Sequence, residues 1–105
     1  MPYRIAPDRD LPLVDEFMAA PTGFHSPNLQ RLLRAMRGGP VPGKYALYKS
    51  SPGREWMLMR LSGSRDVPPT MHEDVVFSDL EEAERHVFRL RWKQMTGRDL
   101  EWPSS

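Results

Sequence analysis

The chain has 105 residues, with 15 Lys and Arg against 14 Asp and Glu, 39% hydrophobic residues and no cysteine, the composition of one small, nearly neutral domain. The lack of thiols excludes a disulfide scaffold, a thiolate zinc site and a cysteine nucleophile, and a formal charge of +1 leaves little for phosphate neutralisation to act on. A chain of this size buries roughly 65% of its unfolded surface, enough for one modest core but not for a core plus a deep, enclosed substrate cavity.

Residues 1–9 hold two prolines and mixed charge without a period, and read as an N-terminal arm. Neither an apolar run long enough to cross a membrane nor a signal-peptide core interrupts the polar pattern, so a cytoplasmic location is expected. Asp10 can cap a short helix over 11–20 that tolerates Pro12 in its first turn, with Leu13, Val14, Phe17 and Met18 as its apolar stripe. After the turn at 21–25, Ser26 as N-cap and Pro27 at the first helical position open a second helix. Its apolar face is Leu29, Leu32, Leu33 and Met36, its polar face is rich in arginine, and Gly38 and Gly39 stop it.

From Gly43 the period shortens to that of strands. GKYALYKS, the turn residues SSPG and REWMLMRLS predict an antiparallel hairpin over about 44–62. Alternation places Trp56 and Leu58 on one side and Met57, Met59 and Leu61 on the other, with Tyr45 and Leu47 opposite Ala46 and Tyr48. Both faces of that sheet are apolar, so each asks for a cover. Residues 63–71 read as a proline-rich loop, and Val75, Val76 and Phe77 supply a third short strand. Ser78 and Glu81 form a capping box at the start of a long helix over about 79–96, ended by Gly97. That helix carries two apolar tracks, Leu80, Ala83, Val87 and Leu90 on one side and Phe88, Trp92 and Met95 on the other. The fold class is therefore α+β: two short N-terminal helices, a two- to three-stranded antiparallel sheet and a long C-terminal helix packed on it, forming one domain over 10–97 with a tail at 98–105.

Candidate chemistry is thin. His72, Glu73 and Asp74 are consecutive, which sends their side chains to alternate faces instead of around a metal; a solvated loop accounts for them. His86 lies beside Glu82 and Arg89 as a surface group, and His25 sits before a helix start that could hold an anion but reads better as an ordinary cap. Glu55 lies within an aromatic cluster, but general acid–base work needs a second positioned group, and none is identifiable. No serine sits in a GxSxG turn. Lys44, Lys49, Arg54, Arg60 and Arg65 gather around the hairpin, and three strands followed by a helix is also the plan of small nucleic-acid readers of the AP2 and integrase-arm type. The alternate face here carries Met57, Met59 and Leu61 where such readers place arginine and hydroxyl residues, which weighs against that alternative.

In order and spacing, PTGFHSPNLQR at 21–31, GKYALY at 43–48, REW at 54–56 and FSDLEEAERHVFRLR at 77–91 resemble the small subunit of N,N-dimethylformamidase. The chain departs from the family pattern in its proline-rich loop at 63–71 and in a shorter N-terminal segment. The resemblance implies a non-catalytic, accessory subunit of a hetero-oligomeric amide hydrolase. In that family the small chain packs on a large catalytic subunit whose mononuclear iron, held by tyrosine and glutamate, activates water to cleave small N-substituted formamides or related amides. It implies no catalytic residue, no metal ligand and no cofactor in this chain. The family-matching positions, with an expected structural role, are Gly23, Ser26, Pro27, Gln30 and Arg31 around the second helix start, and Gly43, Lys44, Tyr45 and Tyr48 in the first strand region. Arg54, Glu55 and Trp56 match in the hairpin return, and Phe77, Glu81, Glu82, Ala83 and Val87 at the last helix.

The surplus of apolar faces agrees with a partner. Two short helices are too few to cover a two-faced sheet and a two-sided helix, and Met57, Met59, Phe88, Trp92 and Met95 are the expected partner-facing patch.

Overall fold

A computed structural model describes residues 5, 9–38, 43–50 and 55–100. Helix α1 (Leu11–Ala19) turns Val14, Phe17 and Met18 inward. Asp10 holds the N-cap position through its backbone carbonyl, which accepts from Leu13 and Val14, whereas its carboxylate pairs with Arg9 at 3.1 Å and caps no helix N–H. Helix α2 (Pro27–Arg37) starts as the sequence predicts: Ser26 is extended, its Oγ accepts from the Leu29 N–H, and Pro27 occupies a position whose N–H the helix does not need. Leu29, Leu32, Leu33 and Met36 are buried, and Arg34 and Arg37 in the last turn face the negative end of the helix dipole.

A contact that spacing rules do not reach joins the two helices. The Glu16 carboxylate on α1 accepts from both the Ser26 N–H and the Ser26 hydroxyl, each at 2.6 Å. The hydroxyl thus donates to Glu16 while accepting from Leu29, so the cap of α2 is anchored to α1. These bonds favour the ionised form and hold the Glu16 carboxyl below its ordinary value.

Strands β1 (Tyr45–Ser50), β2 (Glu55–Arg60) and β3 (Thr70–Phe77) form one antiparallel sheet in the order β1-β2-β3. The hairpin lies where the alternation places it, while Arg54 falls outside the described residues. The third strand is longer than the predicted one. It begins at Thr70, directly after two prolines, and takes His72, Glu73 and Asp74 out of the expected loop. A bulge explains the difference: Met57 pairs with Val76 but the next residue, Leu58, pairs with His72, so residues 73–75 are extra on β3 and break the period of two by which a strand is read.

Helix α3 (Leu80–Thr96) also starts one residue later than the capping box implies. Asp79 is the N-cap, extended at φ −119° and ψ 117°, and its carboxylate accepts from the Glu81 N–H at 2.9 Å, where a charge at the positive end of the dipole favours it over the Ser78 hydroxyl. Gly97 closes the helix in the left-handed region at φ 76°.

The two apolar tracks of α3 give the fold its layers. Ala83 and Val87 are buried on the sheet side with Leu58. Phe88 and Trp92 enter a separate cluster with Val14, Phe17, Met18, Leu29, Leu32, Leu33, Met36 and Leu100, in which the Phe17 and Phe88 rings stack at 4.3 Å. Arginines pin both contacts of α3: Arg85 Nε donates to the Met18 carbonyl at 2.9 Å, and Arg91 donates twice to the Tyr45 carbonyl at 3.2 and 3.1 Å. Leu100 is part of this core, and Ile5 packs against it. No helix among the described residues is long and apolar enough to cross a membrane.

Candidate interaction surface

Register sorts the sheet into two faces. On the face toward α3 stand Tyr45, Leu47, Trp56, Leu58, His72 and Phe77. Leu58 is 4% exposed there, and the Phe77 ring meets that of His86 from α3 at 5.2 Å. On the opposite face two cross-strand rows run over all three strands, Ala46–Met59–Met71 and Tyr48–Met57–Val76. Every member is apolar or aromatic. Tyr48 is 50% and Val76 39% exposed, the other four are half-buried by their strand neighbours, and α3, the helix that packs on the sheet, lies on the other side. Among the described residues no helix packs on these rows.

The expected partner-facing patch therefore divides. Met57 and Met59 lie at the centre of the open face. Phe88 and Trp92 do not belong to it: each is 2% exposed and closed into the chain's own core. The reason is that α1 and α2 pack on each other and on α3, so the second track of α3 is covered from within the chain. Met95 remains exposed, on α3 and away from the methionine rows. Ala46, Tyr48, Met71 and Val76 complete the face; alternation indicates the first two, whereas the bulge conceals the last two.

The family-matching residues lie around α2, in and beside the hairpin, at the end of β3 and on α3. Gly23 sits against Ala20, whose Cβ would lie 3.0 Å from a Cβ at this position. Ser26, Pro27 and Gln30 build the start of α2, with Gln30 Nε2 donating to the His25 carbonyl at 2.9 Å, while Arg31 is exposed. Gly43 has φ 81°, and its carbonyl accepts from Arg60 and from Gln94 of α3. Lys44 Nζ donates to the Arg37 carbonyl; burial first, then Arg91 and Arg37, lower its pKa. Tyr45 lies under the Arg60 guanidinium, 5.3 Å from its ring centre. Trp56 and Phe77 face α3, Glu55 is exposed at the hairpin end, and Glu81 and Glu82 pair with Arg85 at 3.4 and 2.5 Å.

No reactive constellation emerges around the candidate polar residues. His72 lies opposite Leu58 on the α3 side, and Glu73 and Asp74 project from the bulge. Burial, then Arg89, lowers the pKa of His86, while its expected neighbour Glu82 pairs with Arg85. His25 and Arg37 line an open cavity of about 260 Å³ between the α1–α2 turn, α2 and α3, with Phe17, Phe88, Glu84 and Arg91. The cavity wall carries no serine or cysteine, and a larger open cavity, of about 380 Å³, is lined by Met18, Phe77, Glu82, Arg85, His86 and Arg89. Among the described residues no three His, Asp or Glu side chains are grouped to hold a metal ion.

The model of the N,N-dimethylformamidase alpha subunit family matches residues 3–101. No curated protein matches the chain.

Proposed function

The chain belongs to the N,N-dimethylformamidase alpha subunit family, and from that premise we propose that it is the small, non-catalytic subunit of a cytoplasmic, hetero-oligomeric amide hydrolase. Its role is to stabilise a large catalytic chain that hydrolyses small N-substituted formamides or related amides. An alpha subunit implies subunits of another kind. The observation that carries the reading is a three-stranded sheet with one face under α3 and an apolar face on which no helix packs among the described residues.

Iron bound to the large chain would polarise the amide carbonyl and lower the pKa of water. We assign no chemical step to this chain. What it supplies is surface: a rigid sheet held by Arg91 on Tyr45 and by Gln94 and Arg60 on Gly43. Co-expression with the large chain of the same genome, followed by native mass spectrometry, metal analysis and a formamide hydrolysis assay, tests the proposal. The expected result is a hetero-complex that contains iron and is active, with the small chain inert alone. A small chain that stays monomeric beside the large one, or hydrolyses the amide unaided, refutes it.

A further inference from the structure

We propose that the rows Ala46–Met59–Met71 and Tyr48–Met57–Val76 are where the chain docks, and that the occupant is a second kind of polypeptide with an apolar centre and a lysine- or arginine-bearing rim. The inference rests on the subunit role proposed above and adds the face and the chemistry of what sits on it.

Size argues first against a second copy of this chain. Three strands of about six residues, at roughly 3.3 Å per residue and 4.8 Å between strands, present a face of about 300 Å². A stable interface needs roughly 800 Å² on each partner. Two copies meeting face to face would fall well short, whereas a larger partner can continue past the sheet.

Charge argues the same way. Glu73 and Asp74 stand in the bulge of β3 beside Val76 and Met71, and both are exposed. The basic residues of the described strands, Lys49 and Arg60, belong to the register that faces α3, opposite Trp56 and Tyr45. The open face therefore has an apolar centre and an acidic border. An isologous pairing would set that border against itself, which like charges oppose, while a basic rim complements it.

The test measures binding of the full chain to the purified large subunit at several salt concentrations, with the oligomeric state of the chain alone followed by sedimentation. Tyr48→Asp places a charge in the apolar centre at a half-exposed site, and binding is expected to weaken at least about tenfold. Glu73→Lys with Asp74→Lys reverses two exposed charges in a bulge and leaves the melting temperature near wild type. It is expected to slow association and flatten its salt dependence. Phe24→Ser, at a fully exposed turn residue distant in sequence from the sheet, is expected to bind normally.

A complex that forms with unchanged affinity and salt dependence in the sheet variants overturns the assignment of the face while leaving the subunit role intact. Self-association of the chain alone that Tyr48→Asp abolishes overturns it in favour of a second copy. Failure of the wild-type chain to bind the large subunit at all refutes the subunit role, and the docking face with it.

Discussion

Replacing Trp92 with alanine separates a core residue from an interface residue. Its side chain is 2% exposed and follows Phe88 in the stack that joins α3 to α1, with ring centres 6.1 Å apart. A tryptophan buries up to about 250 Å², which at 25 cal/mol per Å² sets an upper bound of about 6 kcal/mol on the transfer contribution. Truncations of this kind cost about 3–5 kcal/mol. A domain of this length has about 5–15 kcal/mol in total, so Trp92→Ala removes about a third to a half of a mid-range stability. At about 4 °C or more per kcal/mol, the melting temperature falls by about 12 °C or more. Thermal and urea melts of the isolated chain, followed by circular dichroism, read this directly, with Met95→Ala, at an exposed site, expected within about 0.5 kcal/mol of wild type. A Trp92→Ala chain that melts with the wild type but no longer assembles would refute the placement and return Trp92 to a partner-facing surface.

Three further outcomes follow from single contacts. Glu16→Gln weakens the anchor on the cap of α2 and lowers stability at pH 7 by about 1 kcal/mol. Because the bonded carboxyl has its pKa below the ordinary 4.5, that stabilisation is complete above pH 4.5 and is lost as the pH falls through the lower folded value. Urea titrations across this range should show the gap between wild type and variant closing toward acid, and a gap independent of pH would contradict the account. Gly97→Ala meets nothing within 4 Å but must adopt φ 76°, so its cost in a urea melt is conformational, about 1 kcal/mol. Gly43→Ala has the same conformational demand and also brings a Cβ to 3.3 Å from the Arg60 guanidinium, so it should cost more than Gly97→Ala; equal costs would show that Arg60 yields freely.

Legibility in the sequence followed the range of the interaction. Ser26–Pro27, the i, i+3, i+4, i+7 stripe of α2 and the terminal Gly97 are local signals, and each describes what forms. The hairpin is legible because its strands alternate without interruption, whereas the pattern shows only the end of β3 because residues 73–75 bulge and disrupt the alternation. The link from Glu16 to Ser26 left no trace, since a carboxylate ten residues from a cap is no motif. Of the candidate surface, Met57 and Met59 could be read from strand parity. Phe88 and Trp92 could not be placed, because a second apolar track on a helix looks the same whether it meets a partner or another part of the same chain.

That ambiguity resolves through the position of α3. A helix covers one face of a three-stranded sheet, and its outer side then becomes a new apolar surface if a second track is present. Here α1 and α2 close on that outer side: Phe17 stacks on Phe88, and the Met18 carbonyl receives Arg85. With all three helices on one side of the sheet, the described chain has no element for the other. The open surface is therefore a consequence of how the helices are distributed, and it falls on β-sheet, not on helix. Its composition fits a surface meant to be covered. Tyr48 offers an aromatic ring and a hydroxyl, while Met57, Met59 and Met71 are unbranched side chains that adapt to an opposing surface at low steric cost. The same distribution explains why the charged residues of the strands divide by side. Lys49 and Arg60 stand on the face toward α3, where Arg60 reaches the Gly43 carbonyl and the Tyr45 ring, which leaves acids at the border of the open face. Exchanging the charge on that border without touching the methionine rows is thus expected to leave the layers beneath intact.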